Sequence, residues 1–449
     1  MEKGTRTAFL SSSVRPVYRL SLFRCAATLH LQVPEKKRRL PEKTTITMKN
    51  ALLIENAQVL RPGHWIRPGS VLVKEGKISE FDPKGGQIKG VFDRVDAKGA
   101  LLTPGLVDLH SHAIQLFFYE TDPQQICDAA AVLPRYGTTC VLPTLYTIMN
   151  RSSLGHLERL SEAVCRATGA AMPGFHLEGP FLALPGAGAD TVPGDVVLLE
   201  ELLATLGGRV SAMSISPDTP NIIPVIERLR EEGIAVFITH THASVEETQL
   251  AIDAGARHAT HFYDVFPVPE EIEPGARPVG AVETILADPR CSVDFICDGV
   301  HVHPMAIRAA LAAKGWKGVV AITDANIGAG LGEGVYETPL GYAIQVSPSD
   351  AARIADKNHP HCGTLSGSSL TMDRAIDNLL NWLDLPPHQV WAMGTTNPAT
   401  VAQLADKGDM RVGADADLVL WEQEGRQLQA KTTWVAGKCV FDAESEICV

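Results

Sequence analysis

Pro173-Gly174-Phe175-His176-Leu177-Glu178-Gly179-Pro180-Phe181 is an apolar run that delivers one carboxylate and then breaks at Gly-Pro. It reads as a short buried strand with Glu178 at its carboxyl end and a sharp exit behind it. A carboxylate so placed is costly unless it is paired or bound to a metal. The same unit recurs along the chain. Eight strand-like runs are Gly105–His110, Thr138–Thr144, Pro173–Glu178, Val210–Ser216, Ile234–His240, His258–Phe262, Ser292–Asp298 and Gly318–Asp324. Helical patterns separate most of them: Ser153–Thr168, Asp195–Leu206, Asn221–Glu232, Ser244–Ala254 and Pro304–Ala313. Gly233, Gly255 and Gly315 fall where helix stops belong. Eight β-α repeats predict an α/β fold, a (β/α)8 TIM-like barrel. A doubly wound sheet is the rival. The barrel is favoured because polar residues fall at the carboxyl ends of many different strands.

The flanks differ in character. Ala51–Leu60, Ser70–Lys74 and Lys77–Phe81 read as strands, with Lys74-Glu75-Gly76-Lys77 as a hairpin turn. Asp417–Trp421, Lys431–Val435 and Lys438–Phe441 repeat the pattern at the other end. Together they predict a small β-sandwich domain built from both chain ends, over 48–104 and 395–449, around a barrel at 105–394. Glycine-rich Ile327–Val335 reads as a mobile loop at the barrel mouth. Leu370–Leu383 and Pro398–Ala405 read as helices leading back to the β domain.

With 449 residues, 45% of them hydrophobic, the chain can bury a large core. No stretch has the roughly 18 uninterrupted apolar residues of a membrane span. A net charge of −12 argues against nucleic acid as a partner. Residues 1–47 depart from that balance, with ten Lys/Arg against three acids and the run Lys36-Lys37-Arg38-Arg39. They read as a transit peptide or an upstream extension ahead of Met48, and in both cases stand outside the fold. The nine cysteines are scattered and form no Cys-x-x-Cys. That pattern excludes a disulfide framework or zinc ribbon and fits a cytoplasmic, reducing setting.

The strand ends carry the chemistry. The first run closes Asp108-Leu109-His110-Ser111-His112, and residues i and i+2 of a strand face one side. The third gives Glu178, the fifth Thr239-His240-Thr241-His242, the sixth Ala259-Thr260-His261. The seventh gives Cys297-Asp298-Gly299-Val300-His301 and the eighth Ile322-Thr323-Asp324-Ala325. His261 alone reads as a satisfied core histidine, and Asp324 alone as a helix cap. Together they read as one centre, because core histidines have no reason to choose the same end of several strands. Imidazole with carboxylate suits zinc, Fe(II), Mn or Co rather than Ca or Mg. Such an ion lowers the pKa of bound water to about 7 and polarises a carbonyl. Asp324 beside that water would take its proton and pass it to a leaving amine, which hydrolyses an amide.

These motifs resemble the amidohydrolase superfamily, and within it the N-acetylglucosamine-6-phosphate deacetylase family. The resemblance is carried by Pro104-Gly105-Leu106-Val107-Asp108-Leu109-His110-Ser111-His112, His176-Leu177-Glu178-Gly179-Pro180-Phe181 and His240-Thr241-His242-Ala243-Ser244. Ala259-Thr260-His261-Phe262-Tyr263, Asp298-Gly299-Val300-His301, Thr323-Asp324-Ala325, Leu365-Ser366-Gly367-Ser368 and Val412-Gly413-Ala414-Asp415-Ala416-Asp417-Leu418-Val419 complete it. It implies Glu178, His240 and His261 as main metal ligands. It implies His110 and His112 as helping to hold a second ion, so one or two divalent ions in all. Asp324 is implied at the same metal centre as acid/base, and His301 at the substrate. His242 reads as lying behind the ligands. The resemblance also implies a homodimer with loops near the site.

Two stretches depart from the family. Where it carries Lys-Gly-Ala-His, this chain has Gly186-Ala187-Gly188-Ala189-Asp190, so Asp190 replaces a substrate-orienting histidine. Where the family has Asn-Ala and then an arginine on the sugar phosphate, this chain has Asp264-Val265 and Glu270-Glu271-Ile272-Glu273. Arg277 is the candidate to compensate. An acidic cluster repels a phosphate dianion. The expected function is metal-dependent removal of acetyl from an N-acetylamino sugar, foremost N-acetylglucosamine 6-phosphate. Its alternatives are the same deacylation of a different, unphosphorylated or cationic N-acyl substrate, and a catalytically silent amidohydrolase-fold binding protein.

Overall fold

A computed structural model describes residues 51–61, 66–83, 92–186, 189–347, 351–424 and 427–445. The basic segment 1–47 lies outside the described residues. Eight parallel strands follow one another in chain order: β1 (Leu106–Ser111), β2 (Thr138–Leu145), β3 (Phe175–Glu178), β4 (Val210–Ile215), β5 (Ala235–Ile238), β6 (His258–Ala259), β7 (Ser292–Ile296) and β8 (Val319–Ile322). Each overlaps its predicted run. Every residue of β1, β2, β3, β5 and β8 is buried, as expected of strands covered on both faces.

The ring closes between its first and last strands. The Asp324 N–H donates to the His110 carbonyl and the His112 N–H to the Ala325 carbonyl, both at 2.8 Å. Asp108 reinforces this seam from within. Its buried carboxylate accepts from the Thr323 hydroxyl at 2.6 Å and the Thr323 N–H at 3.3 Å. Burial carries that carboxyl up to about 6 against those hydrogen bonds.

Helices α1 (Pro123–Val132), α2 (Leu154–Arg166), α3 (Val196–Leu206), α4 (Ile222–Glu231), α5 (Val245–Ala254), α6 (Ala281–Ala287), α7 (Pro304–Lys314) and α8 (Met372–Trp382) complete the repeats. Their starts follow capping chemistry. Asp195 accepts from the N–H groups of Val197 and Leu198 at 2.9 and 3.1 Å, and Ser244 with Glu247 forms a capping box at α5. The sequence reading has no counterpart for α1 or α6. The first carries a run of three alanines without an apolar stripe, and the second has only seven residues.

Both chain ends enter one eight-stranded sheet. Its order is Lys438–Asp442, Gln427–Val435, Leu418–Glu424, Leu101–Pro104, Ala51–Val59, Arg67–Lys74 and Lys77–Phe81, with Asp93–Asp96 paired to Ala51–Val59. The ends meet where Leu418 lies opposite Pro104 and Trp421 opposite Leu101, antiparallel. Leu52, Ile54, Val71, Ile78, Leu102, Leu418 and Trp434 form a core of its own. The turn at Glu75-Gly76 has φ of 51° and 76°, so glycine suits its second position. Helices α9 (Pro387–Met393) and α10 (Thr396–Val401) pack on β8, and α10 also on β1, so residues 396–401 lie against the barrel.

The glycine-rich stretch is no free loop. Ile327 and Ala329 are buried, and Gln115 exchanges backbone hydrogen bonds with Gly328 and Ala329 at 2.7 and 2.9 Å. A four-stranded antiparallel sheet follows, Gly334–Glu337, Ala343–Val346, Ala351–Ile354 and Leu365–Ser368. Strands of four residues are too short for alternation to show in the sequence. Among the described residues no helix is long and apolar enough to cross a membrane.

The barrel and the sheet interlock at Gly137, whose φ is 70° and where a Cβ would lie 2.2 Å from the Trp421 ring. The Trp421 indole is itself fixed by donating to the Thr103 hydroxyl at 2.8 Å. Gly137→Ala combines left-handed strain with overpacking, together about 2–4 kcal/mol. The urea midpoint of the variant should fall accordingly, and an unchanged midpoint would refute the interlock.

Candidate metal centre

Strand geometry explains which histidines converge. β1 stays extended through Ser111, so alternation holds and the Nε2 atoms of His110 and His112 lie 3.3 Å apart. β5 and β6 end earlier, at Ile238 and Ala259. Beyond their strands His240, His261 and Asp324 have φ of 47°, 34° and 46°. That left-handed backbone costs a non-glycine residue roughly 1–2 kcal/mol, and it gathers at sites where geometry serves function. Because alternation does not reach past Ile238, His242 does not join His240. It is 58% exposed and sits 3.4 Å from Asp218.

Glu178, the last residue of β3, is the meeting point. Its Oε1 faces Nε2 of His240 and His261 at 3.1 and 3.0 Å. Its Oε2 faces Nε2 of His110 and His112, both at 3.4 Å. Asp324 Oδ1 lies 3.2 Å from His112 and 3.7 Å from His110. Two overlapping trios, His110/His112/Asp324 and His110/Glu178/His261, bring their donor atoms close enough to hold a metal ion.

The donor set fits a divalent metal on two counts. Donors about 2.0–2.1 Å from a tetrahedral ion stand about 3.3 Å from each other, and the spacings above match. The second count is the tautomer of His112. Its Nδ1 lies 3.2 Å from the Thr144 carbonyl, which only accepts. The hydrogen of a neutral ring is therefore on Nδ1, and its Nε2 lone pair faces two carboxylates. A cation between them, or a second proton, resolves that repulsion. The electrostatics of the rings make the same demand for positive charge. Burial opposes it, yet Asp324 and Glu178 raise His112 to about 10, and Glu178 raises His261 to about 10. Glu178 and Asp324 fall below the usual carboxylate range, because the imidazoles outweigh burial.

Surrounding groups hold the ligands in place. His110 Nδ1 pairs with the Thr260 hydroxyl at 3.0 Å. The His261 N–H donates to Asp294, whose other oxygen meets His258 at 2.8 Å. Gly186 lies flat on the His240 ring, where a Cβ would come within 1.8 Å of Cε1. His240 Nδ1 is buried without a partner among the described residues.

The cavity over these groups measures about 160 Å³. His301 and Asp264 line it. Burial disfavours the charged form of His301, but Asp298, 2.6 Å from its Nδ1, outweighs that and raises its pKa. The structure does not bring Asp190 or Arg277 into the cavity. Asp190 is exposed. Arg277 is 83% exposed, pairs with Glu283 at 2.9 Å and borders a neighbouring recess with Thr241 and His242. Tyr146 and Asn326 also line the cavity, and the sequence analysis does not single them out. Tyr146 directly follows β2, so the strand-end logic that found the histidines would also have found it.

Residues 101–440 match the Amidohydrolase family. The N-acetylglucosamine-6-phosphate deacetylase of Bacillus subtilis (strain 168) is 30% identical over 390 residues, covering 83% of this chain and 93% of that protein. The chain belongs to the amidohydrolase superfamily, in the N-acetylglucosamine-6-phosphate deacetylase family. An N-acetylgalactosamine-6-phosphate deacetylase of Escherichia coli O157:H7, 26% identical, covers 83% of this chain and 95% of its own. A solved deacetylase from Mycobacterium smegmatis, an Asp→Ala variant in complex with N-acetyl-D-glucosamine-6-phosphate, aligns with a TM-score of 0.74 at 25% identity. It covers 87% of this chain and 99% of its own.

Membership of this deacetylase family and the donor geometry converge on one test. Full-length protein loaded with zinc and gel-filtered should retain it. Glu178→Gln should lose most of the metal, and Gly186→Ala should bind about 10- to 100-fold more weakly through the displaced His240. Equal retention by all three proteins on elemental analysis would refute the assignment.

Proposed function

We propose that this chain is a metal-dependent deacetylase that removes the acetyl group of an N-acetylamino sugar, foremost N-acetylglucosamine 6-phosphate. One observation carries the reading: four imidazoles converge on Glu178 beside a cavity, and two of them also face Asp324. The family supports it. Glu178, His240 and His261 would hold the main ion, and His110 and His112 with Asp324 offer a second position. Zinc suits this set of imidazoles and carboxylates. Bound there, the ion supplies Lewis acidity toward the amide carbonyl and a lowered pKa for water.

The remaining work belongs to the chain. The depressed pKa of Asp324 keeps it ionised at neutral pH, as a general base must be. Water oxygen adds to the acyl carbon while Asp324 Oδ takes its proton. The C–N bond then breaks, and Asp324 returns the proton to the departing nitrogen, leaving acetate and a free amino sugar. His301, whose pKa Asp298 raises against burial, would bind an oxygen of the substrate. Asp264 stands at the same wall of the cavity.

The cavity lining favours a second reading, the same reaction on an unphosphorylated sugar or a cationic N-acyl substrate. Among the described residues no lysine or arginine lines the cavity, while Glu178, Asp264 and Asp324 do. Arg277 is committed to Glu283, and Ile272 points 98% exposed into solvent. A phosphate dianion is held by guanidinium or ammonium groups, which this lining lacks. Val268, Ile272 and Val279, exposed on the segment before α6, support a homodimer contact beside the site. The free cysteines, Cys140, Cys291 and Cys297 buried among them, support a cytoplasmic setting.

Acetate release from N-acetylglucosamine with and without its 6-phosphate decides between the readings. Metal-loaded protein should hydrolyse at least one, and Asp324→Asn should lower kcat roughly 10³-fold. Preference for the unphosphorylated sugar selects the second reading. No acetate from either, with Asp324→Asn indistinguishable from the parent, leaves the silent binding protein.

A further inference from the structure

Tyr146 immediately follows β2, beside the strand that carries His112. Its ring stands edge-on to the His112 imidazole, centroids 4.5 Å apart, with Phe118 behind it at 6.2 Å. Its backbone is clamped, since the buried Glu120 carboxylate accepts from the Tyr146 N–H and, at 3.0 Å, from the Thr147 N–H. The side chain is 2% exposed. Its hydroxyl nevertheless has no hydrogen-bond partner among the described residues, and Tyr146 is one of the residues that line the cavity with Glu178 and Asp324. A buried hydroxyl without a partner destabilises the fold, and phenylalanine would fill the same space without that penalty.

The other polar groups of the cavity show what this hydroxyl is free to do. Asn326 is committed, its amide donating to the Ser366 carbonyl at 3.2 Å and its oxygen accepting from the Ile327 N–H at 2.8 Å. The imidazoles of His112, His240 and His261 face Glu178. The carboxylates accept. His301, its Nδ1 held on Asp298, follows β7 and Tyr146 follows β2, so the two flank the seam where Asp324 sits, and the Tyr146 hydroxyl is a neutral donor without a partner among the described residues. Burial, and the Glu120 carboxylate after it, keep the phenol protonated.

We infer that Tyr146 is a catalytic residue whose hydroxyl donates a hydrogen bond to the acyl oxygen of the substrate. The bond strengthens as the acyl carbon becomes tetrahedral and negative charge gathers on that oxygen, so it stabilises the transition state more than the bound substrate. The inference rests on the deacylation reading above. No covalent change at Tyr146 is involved, and its proton stays on the phenol throughout.

The test is Tyr146→Phe in the full-length, metal-loaded protein, assayed by acetate release from both N-acetylglucosamine substrates. The substitution keeps the ring on His112 and removes a buried hydroxyl without a partner, so metal content should match the parent and Tm should equal or exceed it. kcat should fall roughly 100-fold for the loss of one such donor, with KM changed by less than about threefold. A kcat within about threefold of the parent overturns the inference. So does a raised KM with kcat intact, which makes Tyr146 a binding contact, or an activity loss that tracks lost metal, which makes it a support for His112. A parent protein that releases no acetate from either sugar overturns the deacylation reading, and this inference with it.

Discussion

One carboxylate faced by four imidazole nitrogens at 3.0–3.4 Å is the constraint on which the barrel's active end depends. Burying Glu178 alone would be expensive, and burying four histidines around it would leave lone pairs opposed. The arrangement makes sense as a cage for positive charge. Much around it follows: left-handed backbone at His240, His261 and Asp324, a glycine against the His240 ring, and hydroxyls and carbonyls on the outer ring nitrogens. Each of these features is unfavourable or wasteful locally, and each is explained by the aim of one atom.

The strands and the side chains gathered around Glu178 were legible in the sequence because both rest on local rules. Apolar runs broken by Gly or Asp mark buried strands, and a period of two explains why His110 and His112 point together. The same rule misleads one strand-end later. His240 and His242 share the spacing, but the strand has already ended, and a left-handed residue turns His242 to solvent. Loop chemistry was less legible. Asp190 and Arg277 were placed by alignment to a pattern, and side-chain direction in a loop follows from packing that spacing does not encode. The four short strands after β8 escaped for a related reason, since four residues carry too little period to read.

The cavity is uneven in what it offers a substrate. At one end four imidazoles surround Glu178. Among the described residues the cavity lining carries Glu178, Asp264 and Asp324 and no guanidinium or ammonium group. Ligand geometry tolerates no change of charge, whereas a loop at the rim can exchange one sign for another at little structural cost.

The seam between β1 and β8 has a temporal meaning as well as a spatial one. His110 and His112 leave the ribosome early, yet Asp108 meets Thr323 across a sequence separation of 215 residues. Such distant partners join late, after the intervening repeats have stacked. Asp324 is docked by the same backbone hydrogen bonds that shut the ring. A partly assembled barrel thus holds histidines without a working centre, and hydrolytic competence arrives only with the final closure of the chain.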